Sequence, residues 1–169
     1  MIKLLESEIL FDNFQDFYTN LVPRDSLVLS HNDVQGNNIL MSHADNLKVV
    51  LIDFEYAGWN PRAYDIAHYI NECAVDLVHP GPTGIKYYNN FPTIEERESL
   101  IRYYCEHWHA HYYHESQSFD DFWAEKGLKM MRDLEACILL NCLFWTSYVV
   151  MSLRDEDVCK SHIYHYSVL

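Results

Sequence analysis

The chain has 169 residues, 49% of them hydrophobic, which suffices for one sizeable core and argues for a single domain spanning 1–169. Its 12 basic against 25 acidic residues leave a net charge of −13, so the surface repels nucleic acid and anionic membranes and favours cationic small molecules. Five cysteines (Cys73, Cys105, Cys137, Cys142 and Cys159) contain no Cys-x-x-Cys pair and read as buried free thiols in a reducing compartment, rather than as disulfides or a zinc site.

In chain order, residues 2–20 place apolar groups at Leu5, Ile9, Phe14 and Phe17, with Leu21 beyond, a loose helical stripe that stops before Pro23. The opening MIKLLESEIL scatters charges among its apolar residues and does not read as a signal peptide. Residues 27–30 form a short apolar run predicting a strand that leads into a loop at His31. Two β-rich runs, 38–41 and 47–53, flank the turn-prone residues 43–46 and predict a hairpin. Gly58, Asn60 and Pro61 mark a loop, 63–76 reads as a helix, and 79–92 is irregular.

Thr93-Ile94-Glu95-Glu96 is a capping box, in which the Thr hydroxyl and a Glu carboxylate satisfy free amides at a helix start. That helix is predicted to run to about His114. Ser118 caps a further helix reaching about Leu153, with an uncertain passage at Gly127. Residues 136–153 carry no charge, near the lower limit for a membrane span, but Asn141, Thr146 and Ser147 interrupt them; a buried core helix is the expectation. The pattern is α+β and mainly α-helical, with no repeats and a small β insertion carrying the polar motifs.

Those motifs are His31-Asn32-Asp33-Val34-Gln35-Gly36-Asn37-Asn38-Ile39-Leu40 and Leu51-Ile52-Asp53-Phe54-Glu55-Tyr56. In a hairpin the start of one strand lies beside the end of the next, so Asn38 and Asp53 are expected to be neighbours. Two oxygen ligands side by side suit Mg²⁺, which takes one or two protein oxygens together with phosphate and water. Asp33, one loop away, is then placed to receive the proton of a hydroxyl attacking the γ-phosphate. Protein kinases use the same spacing of an Asp base, an Asn five residues on, and a metal-binding Asp-Phe. Phosphoryl transfer asks for this because positioning and charge neutralisation supply most of the acceleration.

The first motif resembles the phosphotransferase signature shared by choline, ethanolamine and aminoglycoside kinases. Ile52 to Tyr56, followed by Asn60, Arg62, Asp65-Ile66 and Glu72, resembles the signature particular to the choline/ethanolamine kinase family. The resemblance is strong over residues 27–77 and weaker elsewhere. It implies the C-terminal lobe of a protein-kinase-like fold, with Asp33 as catalytic base, Asn38 and Asp53 as magnesium ligands, and Gln35 beside nucleotide and metal. Where most of the family has Gly-Asn-His, this chain has Ala67-His68-Tyr69, so the support of the catalytic loop is expected to differ.

A quaternary ammonium is recognised by aromatic faces and carboxylates, since it has no hydrogen to donate. Trp145 and Tyr148 lie one helical turn apart, and the family has Trp-x-x-Trp there; Tyr56 and Glu72 match pocket positions, and Tyr166 is a weaker candidate. Burial without function is the competing reading for Trp145 and Tyr148. His107, His109, His111 and His114 lie on one predicted helix, but no Glu makes a His-Glu-x-x-His motif, and a surface or partly packed face is expected.

The implied reaction is ATP-dependent phosphorylation of choline or ethanolamine in cytoplasmic phospholipid precursor synthesis, with Mg²⁺ and ATP as cofactor and co-substrate. The glycines at 36, 58, 81, 84 and 127 form no phosphate loop, and Lys3 is the only lysine before Asp33. An N-terminal ATP-gripping lobe is therefore expected to be absent from these residues, the chain being an excised, proteolytic or incompletely read portion with little turnover of its own. Three alternatives stay open: an aminoglycoside- or homoserine-kinase-like enzyme, a non-catalytic cationic-ligand module, and a partner-binding domain that uses the face left bare, including as a homodimer. Choline and ethanolamine are not distinguished by these residues.

Overall fold

The computed structural model describes residues 27–42, 48–75 and 90–154, with side chains as far as Tyr148. The helical stripe at 2–20, the turn at 43–46, most of the irregular stretch at 79–92, Cys159 and Tyr166 lie outside the described residues.

Strand β1 (Leu27–Ser30) falls where the apolar run predicts it. A 3₁₀ turn, Gly36–Asn38, leads into β2 (Ile39–Met41), which pairs antiparallel with β3 (Val49–Leu51) in the register Ile39↔Leu51 and Met41↔Val49. The hairpin is shorter than its β-rich sequence because Asn38 is taken up by the 3₁₀ turn and Asp53 by a left-handed backbone. Residues 58–61, expected as a loop, are instead β4 (Gly58–Pro61), antiparallel to β1 with Leu27↔Pro61 and Ser30↔Gly58 in register. Turn-forming residues are accommodated because Pro61 ends the strand, where a missing amide breaks no ladder, and Asn60 is tied sideways to Asn32.

Helix α1 (Tyr64–Glu72) follows, ending before the residue 76 that the sequence suggests. Thr93 and Glu96 form the anticipated capping box at the start of α2 (Ile94–Tyr112): the Glu96 amide donates to Thr93 Oγ1 at 3.3 Å, and the Thr93 amide donates to Glu96 Oε2 at 2.8 Å. Ser118 caps a short helix α3 (Phe119–Phe122), which passes through a π turn at Trp123–Gly127 into α4 (Leu128–Arg154). The π turn accounts for the uncertain passage at Gly127: a Cβ there would lie 2.2 Å from Trp123 Cε3, so only glycine lets the indole lie against the backbone.

The core is helical. Ile101 and Cys105 on α2, Ile70 and Ala67 on α1, Phe122, and Met130, Leu134, Cys137 and Leu140 on α4 are buried together, at the three- and four-residue spacing that puts side chains on one helix face. Each fully buried large side chain contributes about 1.5–3 kcal/mol relative to exposure. Helix α4 is buried on one face only, since Leu139, Cys142 and Phe144 are exposed. Among the described residues no helix is long and apolar enough to cross a membrane. Cys73, Cys105, Cys137 and Cys142 are free thiols, of which Cys105 and Cys137 are buried and pushed up to about 11 and about 12 by that burial; Cys142 is exposed, contrary to expectation, because it faces away from the core. His107 and His111 are exposed, each placing Nδ1 on a carbonyl one turn back, whereas half-buried His109 packs on Phe119 and Phe122.

Candidate functional site

The loop after β1 is held from below by Asp65, in the first turn of α1. Its Oδ2 accepts the backbone amide of His31 and its Oδ1 that of Asn32, both at 2.8 Å. Asn32 has a left-handed backbone, φ 68°, which Asn tolerates better than most residues. Its side chain donates to the Tyr56 carbonyl and accepts from Asn60 Nδ2, each at 2.8 Å, joining the loop to β4. Strain of this kind persists where surrounding contacts over-determine the backbone.

His31 is buried between the loop and the hairpin. Nδ1 accepts the Asp33 amide at 3.3 Å, and Nε2 lies 2.8 Å from the Ile52 carbonyl, so the ring proton must sit on Nε2. The ring lies 4.5 Å from that of Phe54, which follows Asp53.

Asp33 is buried and collects donors on one edge. Asn38 Nδ2 donates to Oδ2 at 2.7 Å and to the Asp33 carbonyl at 2.9 Å, and Gln35 Nε2 reaches Oδ2 at 3.2 Å and Oδ1 at 3.4 Å. Oδ1 is the less engaged oxygen. Because the Asn38 nitrogen faces two acceptors, its amide oxygen points away from Asp33. The Ile52 amide donates to the Asn38 carbonyl at 3.0 Å, so Asp53 begins where Asn38 ends across the hairpin; Asp53 is exposed and has φ 66°. Asp33, Gln35 and Asn38 thus meet through direct hydrogen bonds, and the hairpin brings the backbone of Asp53 next to that of Asn38. An amide oxygen and a carboxylate, as Asn38 and Asp53 supply, are oxygen donors of the kind Mg²⁺ takes. Among the described residues no three His, Cys, Asp or Glu side chains converge as a metal cluster.

Tyr56, Trp145 and Tyr148 pack edge-to-face, with ring centroids 5.8 Å (Tyr56–Trp145), 5.5 Å (Trp145–Tyr148) and 6.5 Å (Tyr56–Tyr148) apart. The Tyr56 hydroxyl donates to that of Tyr148 at 3.5 Å; this bond, followed by burial, raises the Tyr56 phenol above its ordinary value. Glu72, half-buried at the end of α1, is raised by burial and by the charge of Asp33. Arg62 serves the fold instead: its Nη1 donates to the Tyr104 hydroxyl at 2.9 Å and its guanidinium lies 3.9 Å over Trp108.

Two residues named in the sequence reading have contacts that it does not assign. Asp65 is visible only as a motif member, although an Asp in a first helical turn is a signal for amide binding. His68, at the departure from the family pattern, is buried between α1 and α4. Its Nδ1 lies 3.0 Å from Trp145 Nε1 and 2.9 Å from Asn141 Nδ2, and its Nε2 lies 3.5 Å from Asp33 Oδ1. Burial lowers its pKa below the ordinary value, against the opposing charges of Asp33 and Asp65.

A loop-borne Asp, an Asn five residues on and an Asp after a hairpin, beside a core of packed helices, define the C-terminal lobe of a protein-kinase-like fold. Choline kinase from Cryptosporidium parvum has this fold, with a TM-score of 0.58 and 24% identity over 92% of this chain and 41% of that one. An ethanolamine kinase from Plasmodium vivax gives a TM-score of 0.62 and 21% identity over 92% of this chain and 37% of that one. The chain belongs to the choline/ethanolamine kinase family, whose family model matches residues 1–163. Probable choline kinase 2 of Arabidopsis thaliana is 30% identical over 157 residues, covering 93% of this chain and 38% of the relative. The chain thus spans less than two fifths of the length of the curated relatives it matches.

Proposed function

We propose that this chain is the catalytic and alcohol-binding lobe of an ATP-dependent kinase acting on choline or ethanolamine, completed by a nucleotide-gripping lobe outside residues 1–169. The observation that carries the reading is the Asp33–Asn38 pair: a buried carboxylate held through Oδ2, with Oδ1 left to take a hydroxyl proton. In this reading the Asn38 amide oxygen and Asp53 hold Mg²⁺, which neutralises phosphate charge when bound. Gln35 keeps Asp33 oriented. Tyr56, Trp145 and Tyr148 offer ring faces to the ammonium and Glu72 its charge, with Tyr166 a further wall. Exposed Leu40, Val50, Ile52 and Phe54 on and after the hairpin support a covering nucleotide lobe; the free thiols agree with the reducing cytoplasm, and the family supports a role in phospholipid precursor synthesis.

The test is ATP-dependent phosphorylation of each alcohol by an enzyme that joins this lobe to its nucleotide lobe. Asp33→Asn is expected to lower kcat by about 10²–10⁴-fold, the usual contribution of a positioned base, with little change in the KM of the alcohol. Asn38→Ala and Asp53→Ala raise the Mg²⁺ needed for half-maximal rate. Turnover unchanged in Asp33→Asn overturns the assignment. For the 169-residue chain alone we expect little turnover, and thermal stabilisation by the amine in preference to Mg-ATP.

A further inference from the structure

We propose that His68 is a positioning residue for the base: a neutral imidazole with its proton on Nε2, steadying the Oδ1 edge of Asp33 and linking that carboxylate to the Trp145 indole. The inference rests on the reading of Asp33 as base and adds a residue that the family pattern does not supply, since most members carry Asn at this position.

The protonation state follows from the donors around the ring. An indole N–H can only donate, so His68 Nδ1, 3.0 Å from Trp145 Nε1, must be an acceptor. Asn141 repeats the argument. Its Oδ1 accepts from Asn71 Nδ2 at 2.9 Å, and Asn71 also donates to the Ile138 carbonyl, which turns Asn141 Nδ2 towards His68. An imidazolium would place a proton on Nδ1 against both donors. The contact with Asp33 is therefore no ion pair, but a neutral N–H facing a carboxylate.

That N–H is the unfinished part of the arrangement. His68 is 1% exposed, and Nε2 is a buried nitrogen without a hydrogen-bond partner; the carboxylate oxygens within reach are Asp33 Oδ1 at 3.5 Å and Glu72 Oε1 at 3.9 Å. The charged or titratable groups facing the ring are Asp33, Asp65, Glu72 and His31. Catalytic hydrogen bonds are often long before substrate binds and shorten in the complex. Oδ1 is the edge that Asn38 does not hold and that Gln35 reaches only at 3.4 Å, so His68 closes on the less engaged edge of the carboxylate while leaving it a lone pair for the alcohol proton. Because the nitrogens lie on different sides of the ring, a ligand that packs on Trp145 also fixes the donor on Asp33.

Nitrogen-15 NMR of the 169-residue chain, without substrate, is expected to show His68 as the Nε2–H tautomer at neutral pH. A proton on Nδ1, or an imidazolium, overturns the proposal. In the enzyme carrying both lobes, His68→Phe is expected to lower kcat at least about 10-fold with the alcohol KM within about 3-fold, and His68→Gln, which keeps an N–H, to restore most of the rate. An indifferent His68→Phe, a loss confined to KM, or equal losses in Phe and Gln variants each remove the positioning role alone. A wild-type enzyme that phosphorylates neither alcohol removes the functional reading as well.

Discussion

Asp65→Ala tests how the loop bearing Asp33 is held. The substitution leaves the His31 and Asn32 amides without their acceptor, each now bonded at 2.8 Å. A hydrogen bond to an ionised acceptor contributes about 1.5–3 kcal/mol, so the pair would amount to about 3–6 kcal/mol in a dry site. Asp65 and Asn32 are only half-buried, so water replaces part of what is lost, and release of the left-handed Asn32 recovers a further part. The expected loss is therefore at the lower end, about 3 kcal/mol. With a urea dependence of about 1–3 kcal/mol per molar, the unfolding midpoint falls by about 1–3 M. Equilibrium urea unfolding followed by tryptophan fluorescence measures this directly. Asp65→Asn keeps one oxygen but turns an NH₂ towards an N–H, and is expected to show at least half of the loss. A midpoint for Asp65→Ala within about 0.3 M of wild type refutes the claim that these bonds hold the loop.

Gly127→Ala brings a methyl into the Trp123 ring, with contacts of 2.2, 2.6 and 2.8 Å to be relieved, and is expected to destabilise by about 1–3 kcal/mol, read as a fall in Tm. His68 gives a pH dependence whose sign is fixed by its lowered pKa: below about 6.5 the unfolded chain takes up a proton that the folded chain refuses, so stability falls as pH drops, by up to about 1.4 kcal/mol per unit until the folded ring titrates. Glu72, raised in the fold, has the opposite effect, its contribution being lost as pH climbs above 4.5; comparing wild type with His68→Gln across about pH 4.5–7 isolates the histidine, and parallel curves refute its burial as a neutral group.

The sequence alone determined the features that rest on local chemistry. Thr93 and Ser118 announce helix starts because their hydroxyls satisfy amides within three residues, and the Asn38 and Asp53 backbones lie side by side because a hairpin brings its own ends together. Only the tertiary structure decided that Gly58–Pro61 is a strand, since its partner β1 lies far back in the chain, pairing Leu27 with Pro61 and Ser30 with Gly58, and outweighs the turn preference of its residues. The same holds for Asp65 beneath the loop and for His68 between Asn141, Trp145 and Asp33. A polar side chain's partners across two packed helices are set by how those helices cross, and no periodicity in one segment records which atom of another will face it.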